Sequence, residues 1–480
     1  MSKHENWHLP VQKLAAKRDK EPVPYFETFT LDENLKTLGR GKTYTIETFG
    51  CQANERDSEN LAGLLEAMGY TKEENKTPDI VLFNTCGIRE NAANSVFGMI
   101  GEYKHVLKSK PDAILAVCGC LAQEENFVNR LIDHYPYVRL AFGTHNIPEL
   151  PELIAKTQEE GRVVEVYSRQ GEVYENLPEH RQSRHKAMVN IMYGCDKFCS
   201  YCIVPYTRGK QRSRHADEIL KEVRLLKKLG YREITLLGQN VNAYGKDLEG
   251  QPDFAALLAM VAQTGMERIR FMTSHPWDFS QAMIETIAKY PNILPVVHLP
   301  VQSGDNEVLR RMGRRYTREQ YLDLARRLRE AIPDVVITTD IIVGFPTEDE
   351  QAFENTLALV REIQYDSAFT FIYSPRPGTP AAKLEDHTPL DVKTKRLIEL
   401  NDLWHESALA KNKAYEGKIV YVLADGPSKK NVNVWSGYDE HGKLVNFTGE
   451  NLKVGDIIPV HITSAHTFFL SGEAVKEETE

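Results

Sequence analysis

The sequence predicts an α/β protein in three parts. These are a doubly wound N-terminal domain, an open (βα)6 partial barrel of TIM type, and a small C-terminal β-barrel of OB-like type. Three observations carry this reading. Short apolar runs alternate with helical patterns across residues 41–165, and a β-then-α unit recurs about six times across residues 183–412. After Gly417 the helical signal gives way to short strands broken by Gly, Asp and Asn. At 480 residues the chain has room for about three domains.

Residues 1–40 form a polar extension, charged throughout and expected to be a mobile tail. The opening MSKHENWHLPVQKLAAKRDKEP has no apolar signal-peptide core, and no apolar run approaches membrane-spanning length. The expectation is a cytoplasmic protein with no membrane contact. The formal charge of −9 argues against a general nucleic-acid coat, which needs excess Lys and Arg. Any such contact must come from local patches. One is Arg208, Lys210, Arg212 and Arg214; another, Arg310, Arg311, Arg314, Arg315 and Arg318, reads as a solvated helix face.

The first domain, residues 41–165, has strand-like runs TYTIETFG, DIVLFNT, AILAVCG and VRLAFG. Helical periodicity lies between them near 61–68, 96–106 and 127–132. Such a pattern suggests a parallel sheet, whose ligands gather beyond the carboxyl ends of the strands. Cys51, Cys86 and Cys120 each follow one of these runs, so three strand ends deliver thiols to one edge. Cys118 lies inside its strand and is assigned as a buried thiol, with Cys120 the ligand. Residues 166–182 read as a polar linker.

The middle domain, residues 183–412, has strand candidates KAMVNIMYG, EITLLGQNV, RIRFMTS, PVVHLPV, VVITTDIIVGF and SAFTFIYSP. Helices are expected over 216–229, 254–263, 281–289, 318–331 and 350–363. With six units the barrel would be open. Polar residues cluster after its strands, where barrel chemistry occurs: Gln239, Asn240 and Asn242; Ser274 and His275; Gln302, Ser303 and Asp305; Thr339 and Asp340. The last domain, residues 415–477, offers about five strands in about sixty residues, as a small barrel of oligonucleotide-binding type does. Its slightly acidic balance does not announce RNA binding. A structural cap on the barrel fits it equally well, and Trp435, Tyr438 and Phe447 are as readily core as stacking surface.

The loop after the first barrel strand holds the densest chemistry. Cys195, Cys199 and Cys202 are separated by three and then two residues. Three thiolates leave a four-coordinate site unfinished. A zinc site would need a remote fourth ligand. A cubane iron–sulfur cluster held by three Cys instead keeps one iron open for a small molecule.

The CxxxCxxC spacing, with Tyr201 before the last Cys, resembles the signature of the radical S-adenosylmethionine (SAM) superfamily. The chain after residue 40 resembles the methylthiotransferases of that superfamily, which join such a core to an N-terminal cluster domain and a C-terminal TRAM domain. The motifs are Thr48-Phe49-Gly50-Cys51-Gln52-Ala53-Asn54, Asn84-Thr85-Cys86, Gly119-Cys120, and Gly194-Cys195 through Arg214. Thr-Phe-Gly-Cys-Gln and Pro205-Tyr206-Thr207-Arg208-Gly209 are most similar to the bacterial tRNA-2-methylthio-N6-dimethylallyladenosine synthases. Ala53 and Cys118 depart from that pattern, where Met and Gly are usual.

The resemblance implies two [4Fe–4S] clusters and SAM as cofactors. Cys195, Cys199 and Cys202 would bind the radical-SAM cluster and serve as the catalytic set; Cys51, Cys86 and Cys120 would bind an auxiliary cluster that donates sulfur. Reductive cleavage of SAM would give a 5′-deoxyadenosyl radical, and a second SAM would supply the methyl group. The implied target is C2 of N6-(dimethylallyl)adenosine at position 37 of tRNA. Tyr201, Gln239, Asn240, Ser303 and Asp340 are the expected SAM contacts. Arg208, Lys210, Arg212 and Arg214 are expected to grip the anticodon stem-loop together with the TRAM domain. Further implied partners are a one-electron donor such as flavodoxin or ferredoxin and an iron–sulfur or sulfur carrier, with the enzyme a monomer. The same chemistry on threonylcarbamoyladenosine tRNA or a ribosomal-protein aspartate, a non-catalytic iron–sulfur RNA sensor, and a zinc-stapled binding module are the competing readings.

Overall fold

The computed structural model describes residues 7–11, 26–73, 77–87, 90–168, 172–428 and 431–475, with the backbone alone for 90–94. The chain divides into two compact units, each taken separately. The first comprises Met1–Gln182, Met192–Arg214 and Pro375–Ala382; the second comprises Ser183–Ile191, His215–Ser374 and Lys383–Glu480.

The first unit is built on a six-stranded parallel sheet. Its strands are β2 (Thr43–Thr48), β3 (Thr71–Lys72), β4 (Ile80–Thr85), β5 (Ile114–Gly119), β6 (Val138–Phe142) and β7 (Val163–Glu165), in the order β3-β2-β4-β5-β6-β7. Helices α1 (Gln52–Ala67), α2 (Glu90–Tyr103), α3 (Glu125–His134) and α4 (Leu150–Glu160) connect them. Side chains alternate across a strand, so β4 sends Ile80 and Leu82 to a core with Leu61, Leu64, Leu65, Leu150 and Ile154. Val81 and Phe83 of the same strand face a second core with Val96, Phe97, Phe127 and Leu131. Burial on both faces is why these strands read as unbroken apolar runs.

The N-terminal expectation is corrected for the part described. β1 (Phe26–Thr28) pairs in parallel with β8 (Val173–Glu175), which lies in the stretch read as a linker. His8 bridges to Glu165 at the sheet edge, its N–H donating to the Val164 carbonyl and its own carbonyl accepting from Val166. Three-residue strands carry too little periodicity to be seen locally; only pairing across the chain creates them.

The second unit opens with β9 (Lys186–Asn190). The chain then contributes a short antiparallel ladder to the first unit, β10 (Met192–Tyr193) with β11 (Arg212–Ser213). The barrel resumes as α5 (Ala216–Lys228), β12 (Glu233–Leu237), α6 (Phe254–Ala262), β13 (Arg268–Phe271), α7 (Gln281–Lys289) and β14 (Val296–His298). It ends with α8 (Arg318–Ala331), β15 (Val336–Val343), α9 (Glu350–Ile363) and β16 (Ser367–Ile372). All its strand pairs are parallel, in two three-stranded halves, β13-β12-β9 and β14-β15-β16, joined by a bridge between Ile269 and Ile293. Six βα strands in an open arrangement match the expected partial barrel.

A 24-residue helix, α10 (Leu390–Lys413), leads to the last part of the unit. There β17 (Ile419–Pro427), β18 (Trp435–Tyr438), β19 (Leu444–Thr448), β20 (Ile457–Ala465) and β21 (Leu470–Ala474) close into a barrel, which removes every free strand edge. Val420, Val422, Ala424, Val445, Phe447, Val460 and Ile462 fill it, so Phe447 is core. The Arg268 guanidinium of β13 donates to the carbonyls of Tyr421 (2.6 Å) and Tyr438 (3.0 Å) and so seats the small barrel against the larger one. Asp366 binds Lys411 at 2.8 Å and Lys443 at 3.2 Å across the same junction. Among the described residues no helix is long and apolar enough to cross a membrane.

Candidate functional site

In the first unit Cys51, Cys86 and Cys120 each lie just past a strand end, and Asn54 stands between Cys51 and Cys120. Cys51 is the N-cap of α1, Cys86 follows β4, and Cys120 opens a single helical turn, Cys120–Gln123, after β5. The Asn54 carbonyl oxygen lies 3.9 Å from both the Cys51 and the Cys120 sulfur. Its amide donates to the carbonyls of Phe49 (2.9 Å) and Thr85 (2.8 Å), which fixes it there. Gly50, at φ +116°, lets the β2 end close on Cys86: a Cβ there would stand 2.4 Å from the Cys86 Cβ and 2.7 Å from its sulfur.

The electrostatics suit anionic sulfur at Cys51. A hydrogen bond from Cys86 holds the Cys51 thiol down to about 5, against burial and with help from the Arg208 charge. The N-terminus of a sixteen-residue helix favours negative charge at the same place. Burial pushes the Cys120 thiol up, with Arg208 pulling against it. Cys118, by contrast, is fully buried among Leu61, Ile114, Ala116 and Leu140. The strand ends at Gly119, so Cys118 and Cys120 part company there.

Cys195, Cys199 and Cys202 occupy a loop of the same unit. The β10–β11 ladder clamps its base, and the Cys195 N–H donates to the Gly209 carbonyl at 3.1 Å. Gly194, at φ +72°, has the Lys210 carbonyl oxygen 2.0 Å from where a Cβ would be, so no side chain fits. Phe198 is held at φ +47° with its ring edge-on to Tyr206, and the Cys202 N–H donates to the Cys199 carbonyl at 3.0 Å. A left-handed phenylalanine is strained backbone of the kind found at functional sites. Cys195 and Cys202 are partly exposed, Cys199 is buried, and Tyr201 lies beside them half-buried. Burial pushes the Cys195 thiol up to about 12.

The basic run after this loop is not a surface patch. Arg208 is 7% exposed and donates to Asp57 (2.6 Å) and to the Asn54 oxygen (2.8 Å). Arg214 is 8% exposed and grips Glu175 at 2.7 Å, while Arg212 is buried and donates to the Arg208 carbonyl. Lys210 alone is half-buried. The expected phosphate grip through Arg208, Arg212 and Arg214 is therefore corrected: acids of α1 and β8, remote in sequence, neutralise two of the three inside the protein. Sequence reasoning also missed Asn54 and Asp57. Their only signal was the polar start of α1, Gln52 to Asn60 with Ala53 its one apolar residue, immediately after Gly50-Cys51.

In the second unit Asn240 and Ser303 follow strand ends as expected, whereas Thr339 and Asp340, expected beyond a strand, lie inside β15 because that strand runs on to Val343. Asn240 is buried and donates to Asp278 at 2.8 Å; Ser303 is buried and accepts from the Asp305 N–H at 3.2 Å; Asp340 stands 3.5 Å from His298. Gln239 is half-buried. The Asn240 oxygen and the Ser274 hydroxyl are buried with no hydrogen-bond partner among the described residues. Such orphans are costly unless a ligand completes them. Thr273 (φ +70°) and Gln302 (φ +71°) are strained at the same carboxyl ends. Strained backbone and orphaned polar atoms thus meet at one edge, where a polar ligand would find partners.

Family matches run along the chain in the same order. The uncharacterized protein family UPF0004 matches residues 43–143, the Radical SAM superfamily matches 189–360, and the TRAM domain matches 413–475. A tRNA-2-methylthio-N(6)-dimethylallyladenosine synthase from Staphylococcus epidermidis is 51% identical over 475 residues, covering 98% of this chain and 92% of that protein. The protein of the same name from Bacillus subtilis is 52% identical over 475 residues, covering 98% and 93%. Among solved structures, the radical S-adenosylmethionine methyltransferase TsrM from Kitasatospora setae, with tryptophan and a SAM analog bound, aligns with a TM-score of 0.51 at 15% identity. That likeness covers 71% of this chain and 74% of TsrM and concerns the fold. The family matches and the relatives together define a radical SAM protein with an N-terminal UPF0004 domain and a C-terminal TRAM domain. Within that class, the chain belongs to the tRNA-2-methylthio-N6-dimethylallyladenosine synthase family.

Proposed function

We propose that this protein methylthiolates C2 of N6-(dimethylallyl)adenosine at position 37 of tRNA, using two [4Fe–4S] clusters and SAM. The observation that carries the reading is identity of 51% and 52% to such synthases across 98% of the chain; the sequence adds Cys51, Cys86 and Cys120 after strand-like runs and the closely spaced Cys195, Cys199 and Cys202 in support. When bound, these cofactors supply one-electron activation of an unactivated C–H bond, a sulfur atom and a methyl group.

The chain's own residues position those groups. Cys195, Cys199 and Cys202 would hold the radical-SAM cluster on a loop clamped at its base, leaving one iron for SAM. Cys51, Cys86 and Cys120 would hold the auxiliary cluster, with Asn54 fixed between Cys51 and Cys120 and the Arg208 charge offsetting part of the thiolates' own. Asn240 and Ser274 at the strand ends, with Asp340 inside β15, would offer a zwitterionic ligand its partners. The target adenine must leave its stack to reach such a site, as in other base-modifying enzymes. With Arg208, Arg212 and Arg214 buried, the grip on the anticodon stem-loop falls to the TRAM barrel and other surfaces. An outside one-electron donor of the flavodoxin or ferredoxin kind and a sulfur-replenishing carrier complete the cycle for a monomeric, cytoplasmic enzyme.

The test is nucleoside mass spectrometry after one anaerobic reaction of reduced, cluster-loaded protein with SAM and dimethylallylated tRNA. A methylthio product together with 5′-deoxyadenosine is expected; deoxyadenosine without modified tRNA would assign another target. Cys199→Ala should abolish SAM cleavage. Cys86→Ala should spare cleavage and lose sulfur insertion, and equal loss of both activities would contradict the division of roles.

A further inference from the structure

The open barrel of the second unit carries two aromatic side chains that its core does not use. Phe369 and Phe371 on β16 are 53% and 44% exposed. The strand's other face is occupied: Ala368 is buried, and Thr370 donates to Asn401 of α10 at 2.6 Å. Strand alternation therefore turns both phenyl rings to the interior face of the barrel. Their neighbours agree. Phe369 meets the His298 ring edge-on at 6.2 Å, and His298 bonds Thr338 at 2.9 Å on the same face. Phe369 is in register with Asp340, and Phe371 with Ile342, toward the carboxyl end where the polar orphans lie.

Two phenyl rings two residues apart on one strand face, open beside polar groups, make a contiguous apolar patch rather than scattered surface residues. We propose that Phe369 and Phe371 form the apolar wall that receives the dimethylallyl group of the substrate adenosine, and so select the dimethylallylated tRNA. This rests on the function proposed above, since it names the subsite for the one apolar feature of that substrate. The chemistry matches: a branched five-carbon group without polar atoms is recognised by apolar surface alone. Neighbouring interior residues Thr338, Asp340 and His298 offer it nothing.

The experiment compares two tRNAs identical except for that group. Anaerobic binding to full-length, cluster-loaded protein is measured for the wild type, Phe369→Ala/Phe371→Ala and Phe369→Leu/Phe371→Leu. The wild type should prefer the dimethylallylated tRNA. The double alanine variant should lose that preference by about 10-fold or more, the usual worth of a few methylenes in an apolar pocket. Its affinity for the unmodified tRNA should not change, and the leucine pair should restore most of the preference. An undiminished preference in the alanine variant, with unchanged melting temperature and wild-type product formation, would overturn this subsite while leaving the enzyme's function intact. Loss of SAM cleavage without tRNA in that variant, at constant tRNA preference, would overturn it in favour of a wall for SAM. A wild type that makes no methylthio product would instead remove the parent reading, and this one with it.

Discussion

Gly50 and Gly194 each stand before the first cysteine of a set, in backbone that a side chain cannot enter. Gly50→Ala would push the β2 end off Cys86, and Gly194→Ala would push the loop off the Lys210 carbonyl. Each variant should load about half the wild-type iron and sulfide, as expected if one of two cubanes is lost. The spectrum of the remaining cluster should tell which one; loss of both clusters from either variant would contradict the separation. Arg208 is a different kind of residue. Removing one partner of a buried pair leaves a bare charge, so Arg208→Ala should destabilise the apo protein by about 3 kcal/mol through Asp57. Urea unfolding checks this, and Asp57→Asn/Arg208→Met should recover much of the loss. The placement of Cys51, Cys86 and Cys120 beyond strand ends was legible in the sequence because its signal is local: a thiol just past an apolar run. The arginines were not. Arg208, Lys210, Arg212 and Arg214 read as one surface patch, because charge spacing says nothing about acids arriving from Asp57 and Glu175.

At the scale of elements, strands buried on both faces announced themselves, and α8 and α9 begin and end where periodicity placed them. Thr317 and Gln320 close a reciprocal cap at the start of α8, which sharpens that boundary. The 24-residue α10 escaped the reading. Its inward stripe is Lys393, Arg396, Leu400, Trp404, Ala408 and Asn412, polar at both ends, so no apolar repeat stands out. Its partners explain the stripe: Arg396 binds Glu348 at 3.2 Å, and Asn412 donates to the His466 carbonyl at 2.8 Å. Burial pushes the Glu348 carboxyl up to about 7, against the pull of the Gly344 N–H and Arg396. A folded-state value above the unfolded 4.5 means that this group's contribution is complete below pH 4.5. It is lost as pH rises through about 7. Glu348→Gln cannot titrate, so its urea midpoint should gain on the wild type between pH 5 and pH 8. Parallel curves for the two proteins would show that Arg396 keeps Glu348 ionised throughout.

The whole molecule was legible as three parts in order, yet its compact units cut across that order. The cysteine loop belongs with the N-terminal sheet, and the small barrel shares a unit with the larger one. The seat between those two barrels rests on Arg268, whose two charge-assisted bonds run to backbone carbonyls. Arg268→Met should cost roughly 1–3 kcal/mol per bond lost and split calorimetric unfolding of the second unit into two transitions. A single unshifted transition would show that Asp366, Lys411 and Lys443 hold the seat without it. The spacing of the cysteines has one more consequence, for the order of events when the protein is made. Cys195, Cys199 and Cys202 sit within eight consecutive residues, and a nascent chain can wrap them round iron before anything has folded. Cys51, Cys86 and Cys120 come to one sheet edge only when β2, β4 and β5 lie side by side, so the auxiliary cluster proposed for them would wait on the finished sheet.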